Sequence, residues 1–468
     1  MQDIYDWIDA RQDELVEELQ VLLRQPSISA QKIGLKECAA MVHGMMVKAG
    51  ISDVQTLPAP GGPEVVIGHV PGALEKTMLC YAHYDVQPPG AEELWSSPPF
   101  GAEIVDSVIY ARGATDNKSG LLAFVRAAQA FLEVRGQPPV SLKFLFEGEE
   151  EVGSPHLSAW LDKYAGLVQA DAMHCLDGGI DGGTGRPRVS LGNKAILYAE
   201  LRCEGAKAEI HSGDSAWVVN PAWRLVQALN TLLDAEGRVA VPGWYDDWDA
   251  PTEEDIAWLE KALADFDVEQ KMDILGVDSL PPGKTALDLL VDRAFGATCT
   301  ICGIEAGYTG QGAKTAVPPW AVCKLDFRCP PYLDPLKQLE KLEAHLAAQG
   351  FSDVEVHVIT ARRNPWRTPV TAEIAQAIIR AAETVFGQVP FVQGVTAEGT
   401  IIAHIPMPTV LTGFGPMKPN LHAPDENIAI SDYIRGCKYA ATIMEEYAHQ
   451  LTGQQDRWQK SSIYAATQ

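Results

Sequence analysis

Residues 81–90 read Tyr81-Ala82-His83-Tyr84-Asp85-Val86-Gln87-Pro88-Pro89-Gly90, and they follow the apolar run Thr77-Met78-Leu79-Cys80-Tyr81-Ala82. The run reads as a buried strand, and the Pro-Pro-Gly end as a turn. A His at the carboxyl end of such a strand can present its imidazole to a metal. A carboxylate two residues on can brace the ring, fix its tautomer and raise its basicity. Ligands of open α/β sheets bind at the carboxyl ends of the strands. By itself the segment is better explained as a surface turn that carries a His; the rest of the chain decides otherwise.

Outward from this stretch the same texture repeats. On the N-terminal side, Ile4, Trp7, Ile8, Leu15, Leu19, Leu22 and Leu23 have helical spacing over 3–24 and stop before Pro26. A second helix over 35–49 closes at Gly50, and 63–70 reads as a strand. On the C-terminal side, a short strand at 108–111 leads into Arg112-Gly113-Ala114-Thr115-Asp116-Asn117-Lys118-Ser119-Gly120 and a helix over about 118–135. The strand Val140–Phe146 ends in Glu147-Gly148-Glu149-Glu150-Glu151-Val152-Gly153-Ser154. A helix then runs to about 165, and the apolar run 171–176 ends in Asp177-Gly178-Gly179. Strand, turn and helix in this order predict an α/β fold, a sheet with helices on its faces.

At 188–204 the texture changes. Val189, Leu191, Ala195, Leu197, Ala199 and Leu201 alternate, as antiparallel strands with one solvated face do. Helices at 220–234, 252–265 and 335–349, with strands at 298–303, 320–328 and 353–359, describe an inserted α+β segment. The acidic, Trp-rich piece 241–275 reads as a further insertion. From about 363 the α/β texture returns, with a helix at 371–387, an apolar run at 407–413 and a closing helix at 431–451. The polar tail 452–468 reads as loosely held. The expected organisation is a discontinuous first domain, 1–195 and 363–468, around a second, 196–362.

A chain of 468 residues is too long for one core and suits two or three domains. Its 37 basic and 62 acidic side chains leave a net charge of −25, which argues against nucleic acid or an anionic membrane as main partner. Nine Cys, an odd number without a framework, read as reduced thiols in a cytoplasmic protein. Cys299-Thr300-Ile301-Cys302 has no second CxxC pair and is expected to supply core thiols in a strand. Residues 1–20 lack the basic and apolar regions of a signal peptide, and no window has the length and apolarity of a membrane span.

Five candidate ligands follow strand-like runs or open a helix: His83, Asp116, Glu151, Asp177 and His422. His422 lies in Asn420-Leu421-His422-Ala423-Pro424-Asp425-Glu426-Asn427, after the run Pro408–Leu411. Two imidazoles and three carboxylates suit zinc, manganese or cobalt better than calcium or copper. Five ligands overfill one tetrahedral zinc. With one carboxylate bridging, they give three ligands to each of two ions ~3.5–4 Å apart, which can share a hydroxide and polarise a carbonyl. Glu150, beside Glu151, is then free to move a proton from water to a leaving amine. A charge run is usually solvated, but this one follows a buried strand and precedes Gly153-Ser154.

These segments, in order and at comparable spacing over about residues 5–450, resemble the aminoacylase and carboxypeptidase-like di-zinc metallopeptidases. Within that family they are most similar to the cytosolic non-specific dipeptidase and carnosinase branch. The resemblance implies a zinc-peptidase-like catalytic domain, a mixed sheet flanked by helices, with an inserted α+β lid and dimerisation domain. It implies two divalent ions, probed first as zinc: His83 and Asp177 on one, Glu151 and His422 on the other, and Asp116 bridging through a cis peptide to Asn117. Relatives often carry Asp or Met at 117, a position that is not a ligand, so the Asn is expected to matter little. Asp85 would orient His83, and Glu150 would act as general base and then acid.

The resemblance extends to the middle segment. Glu209-Ile210-His211-Ser212-Gly213 is similar to a lid motif whose His crosses a homodimer to stabilise the oxyanion. Gly312-Ala313-Lys314-Thr315 and Lys324-Leu325-Asp326-Phe327-Arg328 are similar to segments that hold the substrate's C-terminal carboxylate, for which the Arg328 fork is suited. Glu398-Gly399-Thr400 resembles a loop that closes on the substrate, so Gly399 and Thr400 join Thr315 as candidate contacts. Plainer readings make His211 a helix cap, Thr315 a turn residue and Arg328 a partner of Asp326. His174, inside an apolar strand, reads as a core residue.

The implied function is hydrolysis of dipeptides that carry a free C-terminal carboxylate. One rival is the same chemistry on N-acyl amino acids; Tyr84 after His83, the Glu147–Ser154 motif and the long lid favour the dipeptide. Another is a non-catalytic binding protein on the same scaffold, which should have lost Glu150 or a ligand.

Overall fold

The computed structural model describes residues 1–180, 185–264, 266–362, 366–395, 407–416 and 420–452. Among them, twelve strands build the two main sheets. In chain order these are β1 (Ser52–Pro58), β2 (Glu64–Val70), β3 (Leu74–His83), β4 (Val140–Glu147), β5 (Ala172–Leu176) and β6 (Arg188–Ser190). They continue with β7 (Ala195–Glu204), β8 (Thr298–Ala306), β9 (Trp320–Cys329), β10 (Glu355–Arg362), β11 (Phe391–Gln393) and β12 (Thr409–Thr412).

The larger sheet is mixed, in the order β1-β2-β4-β3-β5-β12-β6-β11. Its centre is parallel: β4 with β3, β3 with β5, and β5 with β12. Alternation in β3 explains the layers. Met78, Cys80 and Ala82 join a core formed with helices Gln2–Ala10, Lys118–Arg135, Glu373–Phe386 and Ile430–Thr452. Leu79 and Tyr81 face the other way, against Leu157, Trp160 and Leu161 of helix Leu157–Val168. Successive side chains point to opposite faces, so a strand buried on both faces is apolar throughout.

The smaller sheet, β8-β9-β7-β10, is antiparallel and has its own core. Ala195, Leu197, Leu201 and Cys203 of β7 point into that core, with Leu225 and Leu342 from the helices Pro221–Leu229 and Pro335–Ala348. The molecule is therefore an α/β fold with a second, α+β domain, as its sequence pattern predicts.

Three expectations change, and one strand is added. The helix expected over 3–24 is two helices, Gln2–Ala10 and Gln12–Arg24, broken at Arg11. Both pack on Lys118–Arg135; the first also meets Ile430–Thr452 and the second Leu35–Lys48. The strand β1 carries no apolar signal because it is a largely solvated edge. Residues 188–190 belong to the larger sheet, parallel to β11, since alternation shows a face but no partner. Cys302 is exposed rather than in a core: β8 is an edge strand whose register shifts between Ile301 and Gly303.

Candidate metal centre

Because β3, β4, β5 and β12 are parallel, their carboxyl ends open on one edge of the sheet. His83 is the last residue of β3, Glu150 and Glu151 follow β4, Asp177 follows β5, and the loop 420–427 follows β12. Asp116 precedes the helix Lys118–Arg135. That helix starts close to β5: a Cβ on Gly120 would lie 2.3 Å from the Leu176 carbonyl oxygen, so glycine is required there.

Two groups of ligand-type side chains result, His83 with Asp116 and Asp177, and Asp116 with Glu151 and His422. His83 Nε2 lies 3.1 Å from Asp116 Oδ1 and 3.7 Å from Asp177 Oδ2. His422 Nε2 lies 3.1 Å from Asp116 Oδ2 and 3.2 Å from Glu151 Oε2. Asp116 thus turns one oxygen to each group. His83 is fully buried, and its Nε2 makes no well-aligned hydrogen bond although carboxylates face it. A buried ring nitrogen aimed among carboxylate oxygens fits a divalent ion of borderline hardness.

Charge is concentrated here. Burial works against a proton on His83, but the carboxylates of Asp116, Asp177 and Asp85 raise its pKa well above the ordinary value. Asp116 and Glu151 push His422 up to about 10, against its own burial. Burial would raise the pKa of Asp116, but hydrogen bonds from His422 and His83 lower it. Burial drives Glu150 well above the usual carboxylate range; Asp177, Asp116 and Asp85 add to this and His83 opposes it.

A shell of hydrogen bonds holds these ligand-type side chains. His83 Nδ1 lies 3.1 Å from the Asp85 main-chain oxygen and 3.3 Å from Asp85 Oδ1. The Asp85 carboxylate also accepts from Glu150 N and Glu151 N, both at 3.1 Å. Gln87 Nε2 donates to Glu151 Oε2 at 2.9 Å. The Asp116–Asn117 peptide is cis. Asn117 Nδ2 donates to the Leu176 carbonyl at 2.8 Å, tying Asp116 to the strand end that carries Asp177. Gln87 and the structural use of Asn117 were not read from the sequence, although Gln87 lies inside the opening motif.

The model of peptidase family M20/M25/M40 matches residues 79–446. The chain belongs to this family. It is 27% identical over 493 residues to the Beta-Ala-His dipeptidase of Rattus norvegicus, covering 97% of each chain. It is 28% identical over 478 residues to the Cys-Gly metallodipeptidase dug1 of Schizosaccharomyces pombe, covering 95% of this chain and 98% of the relative. Among solved structures it is similar to the M20 family metallo-carboxypeptidase Sso-CP2 of Sulfolobus solfataricus. That match has a TM-score of 0.79 and 35% identity, over 93% of this chain and 99% of the other.

In this M20 peptidase the second-domain candidates are satisfied locally. His211, in the short strand Ile210–His211, is exposed, and its Nδ1 accepts from Gly213 N at 3.1 Å as the cap of residues 212–217. Exposed Thr315 accepts from Ser212 N through its carbonyl at 3.0 Å. Arg328, on β9, forks onto Asp326, with Nε–Oδ1 and Nη2–Oδ2 both 3.0 Å. None of these contacts joins the ligand cluster. Gly399 and Thr400, with Glu398, lie outside the described residues. His174 is a core residue: fully buried, with Nε2 2.8 Å from Thr412 Oγ1.

Proposed function

We propose that this M20 peptidase is a metal-dependent dipeptidase acting on dipeptides with a free C-terminal carboxylate. The observation that carries this reading is the pair of three-ligand groups sharing Asp116, with Glu150 beside them on the Asp85-bound turn. Full-length likeness to a Beta-Ala-His dipeptidase and a Cys-Gly metallodipeptidase supports the substrate class. His83, Asp116 and Asp177 would hold one ion, and Asp116, Glu151 and His422 a second, with zinc, or manganese or cobalt, suited to the donors. When bound, the ions supply Lewis acidity to a water and to the scissile carbonyl.

The protein's own part follows from its residues. Glu150 takes the proton of the attacking water and returns it to the leaving amine. Asp85 fixes Glu150 and His83 in one frame, so the base stays at a constant distance from the ligands. Arg328 exchanges part of its Asp326 pairing for the substrate carboxylate. Thr315, Gly399 and Thr400 complete that pocket. His211 of a second copy donates to the developing oxyanion in a homodimer built through the second domain. The domain limits are 1–195 with 363–468, and 196–362. Free thiols at all nine cysteines support a reducing, cytoplasmic setting. Among the described residues no helix is long and apolar enough to cross a membrane.

The test is turnover by metal-stripped protein reloaded with zinc or with manganese. Substrates are dipeptides with free or amidated carboxyl ends, beside N-acetyl and N-succinyl amino acids. Cleavage confined to free-carboxyl dipeptides is expected. Cleavage confined to acyl amino acids would transfer the site to a deacylase, and binding of both ions without any turnover would leave a binding protein.

A further inference from the structure

Glu426 follows His422 by four residues and is fully buried. Four donors converge on its carboxylate. Oε1 accepts from Thr115 N and Asp116 N, both at 3.0 Å. Oε2 accepts from Gly113 N at 2.9 Å and from Arg112 Nη1 at 2.7 Å. Its main-chain oxygen accepts from Ala111 N at 3.0 Å. The loop 111–116 is thus wrapped around one side chain that belongs to the His422 loop. Converging backbone N–H groups form an anion nest, and here the anion is internal. Arg112, buried beside it, donates through Nη2 to the Ala423 carbonyl at 3.2 Å, next to His422. His422 itself has φ +59°, a left-handed conformation that needs tertiary support in a residue other than glycine.

We propose that Glu426 is a positioning residue for the metal centre. Its carboxylate sets Asp116 and His422 relative to each other, so both ions depend on it although it ligates neither. This rests on the reading of Asp116 as the ligand common to the two groups. A carboxylate is acceptor-only, whereas an amide of the same size has an NH₂ end. In Glu426→Gln that NH₂ must face either the Thr115 and Asp116 N–H groups or Gly113 N–H and Arg112, donor against donor. Asp116 then shifts, and with it one oxygen of each group.

The experiment is titration of metal-free protein with cobalt(II), read by calorimetry and by the d–d absorption spectrum. The variants are Glu426→Gln, Glu426→Asp, and Glu18→Gln as a control. Glu18 pairs with buried Arg126 at 2.8 Å on the helices Gln12–Arg24 and Lys118–Arg135, outside the ligand groups. Wild-type protein should bind two ions; fewer would defeat the shared-ligand reading, separately from the role of Glu426. Glu426→Gln should weaken both ions roughly 10–100-fold and alter both cobalt spectra. Glu426→Asp, which keeps the charge, should recover part of that loss, and Glu18→Gln should leave affinity and spectra unchanged. Weakening of one ion alone, of neither, or to an equal degree in Glu18→Gln would overturn the proposal. If Glu426→Gln does not fold, Glu426→Asp decides, and wild-type affinity and spectra at both ions would overturn it.

Discussion

Acidification should unfold this protein partly through His174, and the size of the effect can be worked out. His174 lies in β5, three residues before Asp177, and its ring meets Phe124 edge-on with centroids 5.0 Å apart. Its Nδ1 is buried without a hydrogen-bond partner. Burial lowers its pKa from 6.5 to about 3. Between those values the unfolded chain binds the proton and the folded chain resists it. The unfolded state then holds more protons, so stability is full above pH 6.5 and falls as pH drops towards 3. At pH 4 the folded ring is about one-tenth protonated and the unfolded one almost wholly so. Relative to pH 7.5 this removes about 3 kcal/mol of stability. His174→Gln keeps a polar tip for Thr412 and abolishes the titration. Urea unfolding of both proteins at the two pH values, in chelator so that metal loss does not contribute, should show the wild type losing about 3 kcal/mol more than the variant. Equal losses would mean that the folded ring accepts the proton, and would refute the reasoning.

Asp116→Ala should abolish binding of both ions, while Asp177→Ala and Glu151→Ala each keep one; identical metal content in all three by atomic emission would remove Asp116 as the shared ligand. Glu150→Gln should retain both ions and lower kcat by roughly 10²–10⁴, whereas loss of metal would make Glu150 a ligand rather than the base. Gln87→Leu removes the donor to Glu151 Oε2 and should weaken one of the two ions about tenfold; weakening of both, or none, in the same cobalt titration would count against that assignment.

What was legible in the sequence depended on whether a side chain carried the signal. His83, Asp116, Glu151 and Asp177, which the structure gathers with His422 into two ligand-type groups, stand where an apolar strand or a helix start meets polar residues. The sharing of Asp116 was not legible in spacing. It came with the family resemblance, and the structure gives it a geometric basis in one oxygen turned to each His. The role of Glu426 leaves little trace in the sequence, because three of its four donors are backbone N–H groups some 310 residues away in the chain. Such donors have no residue-type signature. His211 and Arg328 present the opposite difficulty. Their side chains are conspicuous, yet within one chain a Gly213 amide and an Asp326 carboxylate satisfy them. Only the resemblance distinguishes a cap from an oxyanion donor.

The opening motif organises the site because Asp85 has two faces. Towards β3 it holds the Nδ1 side of His83, leaving Nε2 directed at Asp116 and Asp177. Towards β4 its oxygens take the amides of Glu150 and Glu151, one each. The proposed chemistry needs a base near the ligand-type groups yet separate from them, and adjacent residues of one short turn supply such a pair. The Glu151 side chain turns to His422, while the amides of both residues remain on Asp85. Parallel strand pairing makes the arrangement possible, since β3 and β4 end level with each other, His83 opposite Glu147. An antiparallel pairing of these two strands would have sent the acidic turn to the far edge of the sheet, away from His83.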